Sequence, residues 1–218
     1  MIEQIQNIQR EQTEQRNRMT YLEFLLQYPN MMTNQLKQSM RESILTRENI
    51  YQIQQWTMKE VGNELFDSMI DNWDLNSYDF RRKIIKTKNP LILIETSDRI
   101  KFGCFIRKDM SFYYYHEYYE YYYYHLDETE IFLFTFYGDN PRKFTLKNYL
   151  ETYFYIYTSS DDKLFQIGND DLCIYKKDFP SKIVQHENSH FDYQKNENAL
   201  IGKCGNFIVK RILVIEFE

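Results

Sequence analysis

Apolar residues near the start of the chain recur at intervals of three, four and seven. Ile2, Ile5, Ile8, Leu22, Leu25 and Leu26, then Leu36, Met40, Ile44 and Tyr51, fall along one stripe of a helix. Pro29 and Asn30 interrupt that stripe, because proline removes a backbone donor and pushes its predecessor out of the helical basin. Two helices are therefore predicted, over about 2–27 and about 33–56. The stripe is narrow and broken by Gln12 and Gln15, so it must bury against its partner helix, the main domain or another chain. Packing within the chain and a weak coiled coil both satisfy that demand, and the second would make a homo-oligomer through the N-terminal helices. The spacing continues through Trp56, Val61, Leu65, Phe66, Met69 and Ile70, read as a further helical stretch, with Asp71 to Ser77 as a polar connector. Phe80, Ile84 and Ile85 repeat it before Lys88, Asn89 and Pro90 stop the helix.

Beyond Pro90 the period changes. The runs at 91–95, 99–106, 131–137, 151–157, 163–167, 172–176 and 207–217 are β-branched and aromatic and read as strands. Turn-forming residues separate them: Thr96 to Asp98, Gly138 to Pro141, Ser159 to Asp162, and Gly168 to Asp170. Strands that follow one another without long helices between them cannot make parallel crossovers. The expected class is α+β, a two-sheet antiparallel β-sandwich flanked by helices, with an N-terminal helical or coiled-coil extension. Residues 1–52 form the Gln-rich helical segment and 53–218 the main domain.

Composition narrows the classes. The chain has 218 residues, 27 basic and 32 acidic, a balance of −5. Its 43% hydrophobic content excludes a wholly disordered chain, and its length suits one main domain with an appendage. Of its 14 Gln, 11 fall within the first 55 residues, which marks that segment as different in kind. No window approaches the ~20 apolar residues a membrane span requires, and the N-terminus has no apolar signal core. A soluble, cytoplasmic protein with no direct membrane insertion is the expectation. Cys104, Cys173 and Cys204 are widely spaced and odd in number, which suits reduced thiols.

His186, Glu187, Asn188, Ser189 and His190 satisfy H-E-x-x-H, a zinc hydrolase signature. That chemistry needs both imidazoles on one helical face, with the glutamate polarising a metal-bound water. Asn188 and Ser189 favour turns, no apolar stripe flanks the motif, and the segment after it reads as a short strand, so a solvated loop without metal is expected. The second oddity is residues 112–125, with nine Tyr between 113 and 124. Tyrosine pairs an apolar face with a polar tip and suits partner contact, and Tyr118, Tyr119, Tyr121 and Tyr122 are the candidates. Glu117 and Glu120 replace the cations that a phosphate backbone would need, so nucleic acid is not expected. The bland alternative is a low-complexity strand pair lying over a sheet. Arg81, Arg82, Lys83, Lys86 and Lys88 sit at a helix end, where cations complement the macrodipole. No nucleophile elbow, phosphate loop or dinucleotide fingerprint occurs, and the pairs Asp161–Asp162 and Asp170–Asp171 read as turn residues. A redox role through Cys104 or Cys204 is the chemical alternative.

The ordered series of residues resembles the TLDc domain, in particular protozoan versions with an N-terminal helical segment. It runs over about residues 53–218: Trp56 and Thr57; Phe66, Asp67 and Ser68; Asp71, Asn72 and Trp73; Phe102 and Gly103; the strand at 130–136; the stretch around Gly168; and the closing segment around Gly202, Gly205 and Arg211. Trp56, Gly103, Gly168 and Gly205 carry the signature. Cys104 stands where such domains commonly have a second glycine, and the tyrosine run replaces a shorter, less aromatic insert. The resemblance implies a sandwich with no agreed catalytic constellation or cofactor, binding to subunits of the vacuolar-type proton ATPase, and protection against oxidative stress. The expected function is a non-catalytic protein-interaction module. Gly103 is expected to permit a close backbone approach, and Gly168 and Gly205 to supply left-handed turns.

Overall fold

Strand β2 (Pro90–Thr96) is apolar at every position from Leu91 to Ile94 instead of alternating, and both of its faces are covered. In the computed structural model it lies between β3 (Lys101–Ile106) and β13 (Val209–Phe217), pairing antiparallel with each. The structure describes residues 44–218 except 76, 112–113, 117–120, 127–129, 139, 148–151, 159–160, 169–170, 185–188 and 194–198, and at 47 and 114–116 only the backbone. The helical stripe expected over 2–27, the Pro29 break, and most of the helix expected over 33–56 lie outside these residues.

The described chain is mostly antiparallel β, in two sheets, with two helices. The first sheet has the order β1-β13-β2-β3-β6-β7, adding β1 (Val61–Asp67), β6 (Ile131–Thr135) and β7 (Arg142–Thr145). The second comprises β4 (Tyr114–His116), β5 (Tyr121–His125), β8 (Tyr153–Tyr157), β9 (Lys163–Ile167), β10 (Leu172–Tyr175), β11 (Ser181–Ile183) and β12 (Gly205–Phe207). Its order is β12-β11-β10-β9-β8-β5-β4. Ile92, Ile94, Cys104 and Leu133 of the first sheet share one core with Phe154, Ile156, Phe165 and Ile174 of the second.

Helix α1 (Arg47–Thr57) starts at Thr46, whose hydroxyl accepts from the Asn49 backbone while the Asn49 side chain accepts from the Thr46 backbone. That capping box sets a helix start where the sequence pattern predicts an uninterrupted helix. Trp56 then lies against Phe132, Phe134 and Phe136, at 6.1, 6.3 and 6.5 Å between ring centroids. The helix thus covers the face of the first sheet opposite the shared core. Arg107 ties it down by donating to the Thr57 carbonyl at 2.9 Å. Helix α2 (Asp79–Ile84) agrees with its predicted position. Its Phe80 meets Phe66 of β1 edge-on at 5.2 Å and stacks on Phe165 of β9 at 5.3 Å, so one ring joins both sheets.

Val61–Asp67 corrects the sequence reading, which made it helical. Its pairing partner is β13, with Asp67 opposite Leu213, and a strand stabilised by so distant a segment gives no local signal. The expected strand after His190 reduces to an isolated bridge between Phe191 and Leu146. Gly103 behaves as anticipated: a Cβ there would overlap the Ile92 carbonyl oxygen, so the missing side chain is what lets β2 and β3 pair.

Two buried cations fix the joints. Arg211 of β13 donates to both carboxylate oxygens of Asp67, at 3.0 and 2.6 Å, and both residues are nearly inaccessible. Lys176 is 1% exposed, and its ammonium donates to the carbonyls of Leu75, Thr158 and Asp161 at 2.7, 2.8 and 2.5 Å. It joins the segment after β1 to the end of β8 and the approach to β9. Asp67→Ala leaves Arg211 buried without its carboxylate. We expect a loss of about 3–5 kcal/mol by chemical denaturation, whereas Arg82→Ala, at an exposed pair, costs below about 0.5 kcal/mol. Equal losses for the two variants would refute the assignment.

Candidate interaction face

Period-two alternation decides which tyrosines reach the surface of the second sheet. In β8, Phe154 and Ile156 are buried in the core, while Tyr153, Tyr155 and Tyr157 remain half-exposed on the opposite face. Register carries the pattern to β5, where Tyr121 lies opposite Tyr157, Tyr123 opposite Tyr155 and His125 opposite Tyr153. The five tyrosines form a continuous pavement. Ring centroids lie at 5.1 Å for Tyr121–Tyr155, 5.8 Å for Tyr121–Tyr157, 5.8 Å for Tyr123–Tyr153 and 5.7 Å for Tyr153–Tyr155, mostly edge to face. Exposed His125 meets Tyr153 edge-on at 5.4 Å.

Of the predicted contact residues, Tyr121 belongs to this pavement. Tyr122 points the other way, packing against the core with the Arg81 guanidinium 5.2 Å from its ring centre. Tyr118 and Tyr119 lie outside the described residues. Sequence reasoning missed Tyr153, Tyr155 and Tyr157, which sit about 30 residues beyond the tyrosine run; alternation within the run YFYIY was the available signal.

The hydroxyl at the pavement's end is held by a neighbour. Tyr157 donates to the Gln166 side-chain oxygen at 2.9 Å, and the Lys163 ammonium donates to the same oxygen at 3.1 Å while lying 5.1 Å from the Tyr157 ring centre. Burial, followed by the surrounding phenols, pushes Tyr155 up to about 12. Burial and then Asp161 push Tyr157 above the ordinary phenol range. Tyr155 and Tyr157 therefore stay neutral near neutral pH.

The remaining candidates fall elsewhere. His186 and Glu187 lie outside the described residues. His190 sits in irregular chain, with Nδ1 2.6 Å from the Asp171 carboxylate. The same carboxylate accepts from the Ser189 hydroxyl and from the His190 backbone, at 3.1 Å for the latter. Gly168, at φ +62°, leaves no room for a Cβ beside Asp171. Asp171, read from sequence as a turn residue, is thus a buried organiser, and burial raises its carboxyl despite those donors. Asp161 and Asp162 lie in a bend, as turn residues should, with the Asp161 carboxylate accepting from the Lys163 backbone at 2.7 Å; burial raises the Asp161 carboxyl. Gly205, at φ +100°, opens β12 from a left-handed turn as expected. All three cysteines are unbridged; Cys104 and Cys173 are buried, and Cys204 is exposed. Cys104 is fully buried, and that burial drives its thiol far above its ordinary range. Among the described residues, no three His, Cys, Asp or Glu side chains are grouped to hold a metal ion. Nor is any helix among them long and apolar enough to cross a membrane.

No protein-family model matches the chain, and no curated protein matches it. The pavement itself yields a test. With folded pKa values raised, Tyr155 and Tyr157 favour the fold below the unfolded phenol pKa of about 10, and that contribution is lost as pH rises through about 12 for Tyr155. Ultraviolet difference titration should show late-ionising phenols in the folded protein, with one fewer in Tyr155→Phe. A single titration at the ordinary phenol pKa would contradict the packed pavement.

Proposed function

We propose that the chain is a non-catalytic protein-interaction module of the TLDc kind: a face-to-face sandwich that presents the tyrosine pavement of β5 and β8 to a protein partner. The carrying observation is the pavement, five half-exposed phenols on one face of a sheet whose other face is core. Such rings offer large contact area with little side-chain entropy to lose, and tyrosine is enriched where proteins meet. Support for the family reading comes from the resemblance residues: Trp56 packs on the first sheet, Gly103 permits a close strand approach, and Asp67 pairs with Arg211. The vacuolar-type proton ATPase is then the first partner to test, with protection against oxidative stress as the physiological setting. The N-terminal coiled coil and oligomerisation through it belong to the same proposal.

The experiment is affinity capture with the full chain, followed by identification of the recovered proteins. Tyr123→Ser combined with Tyr155→Ser changes half-exposed residues and is expected to abolish recovery of ATPase subunits while leaving the thermal transition within a few degrees. Recovery unchanged by that pair removes the pavement as the contact. Recovery of no ATPase subunit from the unaltered chain removes the partner.

A further inference from the structure

One register row crosses the whole second sheet: Tyr114, Tyr123, Tyr155, Gln166, Cys173, Lys182 and Asn206 are paired in succession from β4 to β12. Its middle, Gln166 and Cys173, is covered. Beyond that cover the same face opens again. Lys182 and Asn206 lie opposite each other and line a cavity of ≈ 290 Å³ together with Asp162, Tyr175, Phe179 and Pro180. This site is separate from the tyrosine pavement and does not rest on the interaction reading.

Its walls combine an exposed aromatic ring with polar groups of both signs. Phe179 is 38% exposed, although it sits on a held turn: Asp178 takes φ +70°, and the Phe179 backbone donates to the carbonyl of buried Lys176 at 3.1 Å. A large apolar side chain kept at the surface by a rigid turn is a ready platform for a ligand. Among the described residues, neither the Lys182 ammonium nor the Asn206 side-chain amide bonds another protein group, so their donors and acceptors remain available.

We infer that this cavity binds a neutral saccharide, with the apolar C–H face of one pyranose ring on Phe179 and its hydroxyls between Asp162, Lys182 and Asn206. A simple anion would meet Asp162 and a simple cation would meet Lys182. At so open a rim, ion pairing to a zwitterion gives little. A polyol uses every group: one hydroxyl donates to the carboxylate, a neighbour accepts from the ammonium, and the amide does both. The volume lies at the lower end of small-ligand sites, about 300–1,000 Å³, and suits one sugar ring, with the open side leaving room for a chain to continue.

The test is titration of the isotopically labelled full chain with methyl glucopyranoside, methyl galactopyranoside, methyl mannopyranoside and, for comparison, free phenylalanine. At least one glycoside is expected to shift the amide resonances of Lys182 and Asn206 saturably. Phe179→Ala and Asn206→Ala, both at exposed positions, should each weaken binding about tenfold, equivalent to about 1.4 kcal/mol. Retained dispersion of the remaining spectrum shows that each variant is folded. Shifts with phenylalanine but with no glycoside, no shift with any of the four compounds, or glycoside shifts that persist undiminished in both variants would each overturn the assignment.

Discussion

Arg211 and Asp67 form a two-pronged ion pair in the interior, and the first sheet closes around it. Arg211 belongs to β13, and Asp67 is the last residue of β1. Asp67 also accepts from the Met69 backbone at 3.0 Å, while its own backbone donates to Asp71 at 2.9 Å. Asp71 in turn holds the Lys83 ammonium of α2 at 2.6 Å. A guanidinium taken out of water is tolerable only when paired and hydrogen-bonded, so the fold is committed to bringing β1, β13 and α2 together. Phe80 can then stand between Phe66 and Phe165, which sets where the second sheet meets the first.

That seating leaves the two sheets with different outer faces. Trp56 of α1 packs on the outside of the first sheet at β6, and in β2 the run from Leu91 to Ile94 is apolar and buried on both faces. On the second sheet, Tyr153, Tyr155 and Tyr157 alternate with core residues and stay half-exposed. Tyrosine is suited to that position because its ring can pack sideways on its neighbours while the hydroxyl stays hydrated. Edge-to-face contacts at 5–6 Å make the pavement a rigid surface.

Most of the strands were legible as β-branched and aromatic runs: β2, β3, β6, β8, β9, β10 and β13 fall where the sequence puts them, within a few residues. Val61–Asp67 was not, because its apolar residues fit helical spacing too and its partner strand among the described residues lies at the other end of the domain. The site was half legible. Tyrosine density flagged β5, but the assignment of Tyr121 outward and Tyr122 inward needs the register with β8. Asp171 was hidden among turn residues, since what distinguishes it, the Ser189 and His190 donors, is supplied by a later segment. Lys176 was invisible for a related reason: its acceptors are main-chain carbonyls, which no side-chain pattern reveals.

The position of β13 between β1 and β2 bears on how the polypeptide is made. Asp67 and Arg211 are 144 residues apart, which a ribosome working at about 5–20 residues per second takes roughly 7–30 seconds to cover. For that interval β1 has no partner strand among the described residues, and β2, apolar from Leu91 to Ile94, has β3 on one side and its other backbone edge open. Nascent copies on one messenger are therefore exposed to cross-pairing until the closing strand emerges. A chaperone that shields extended apolar segments would act during that window.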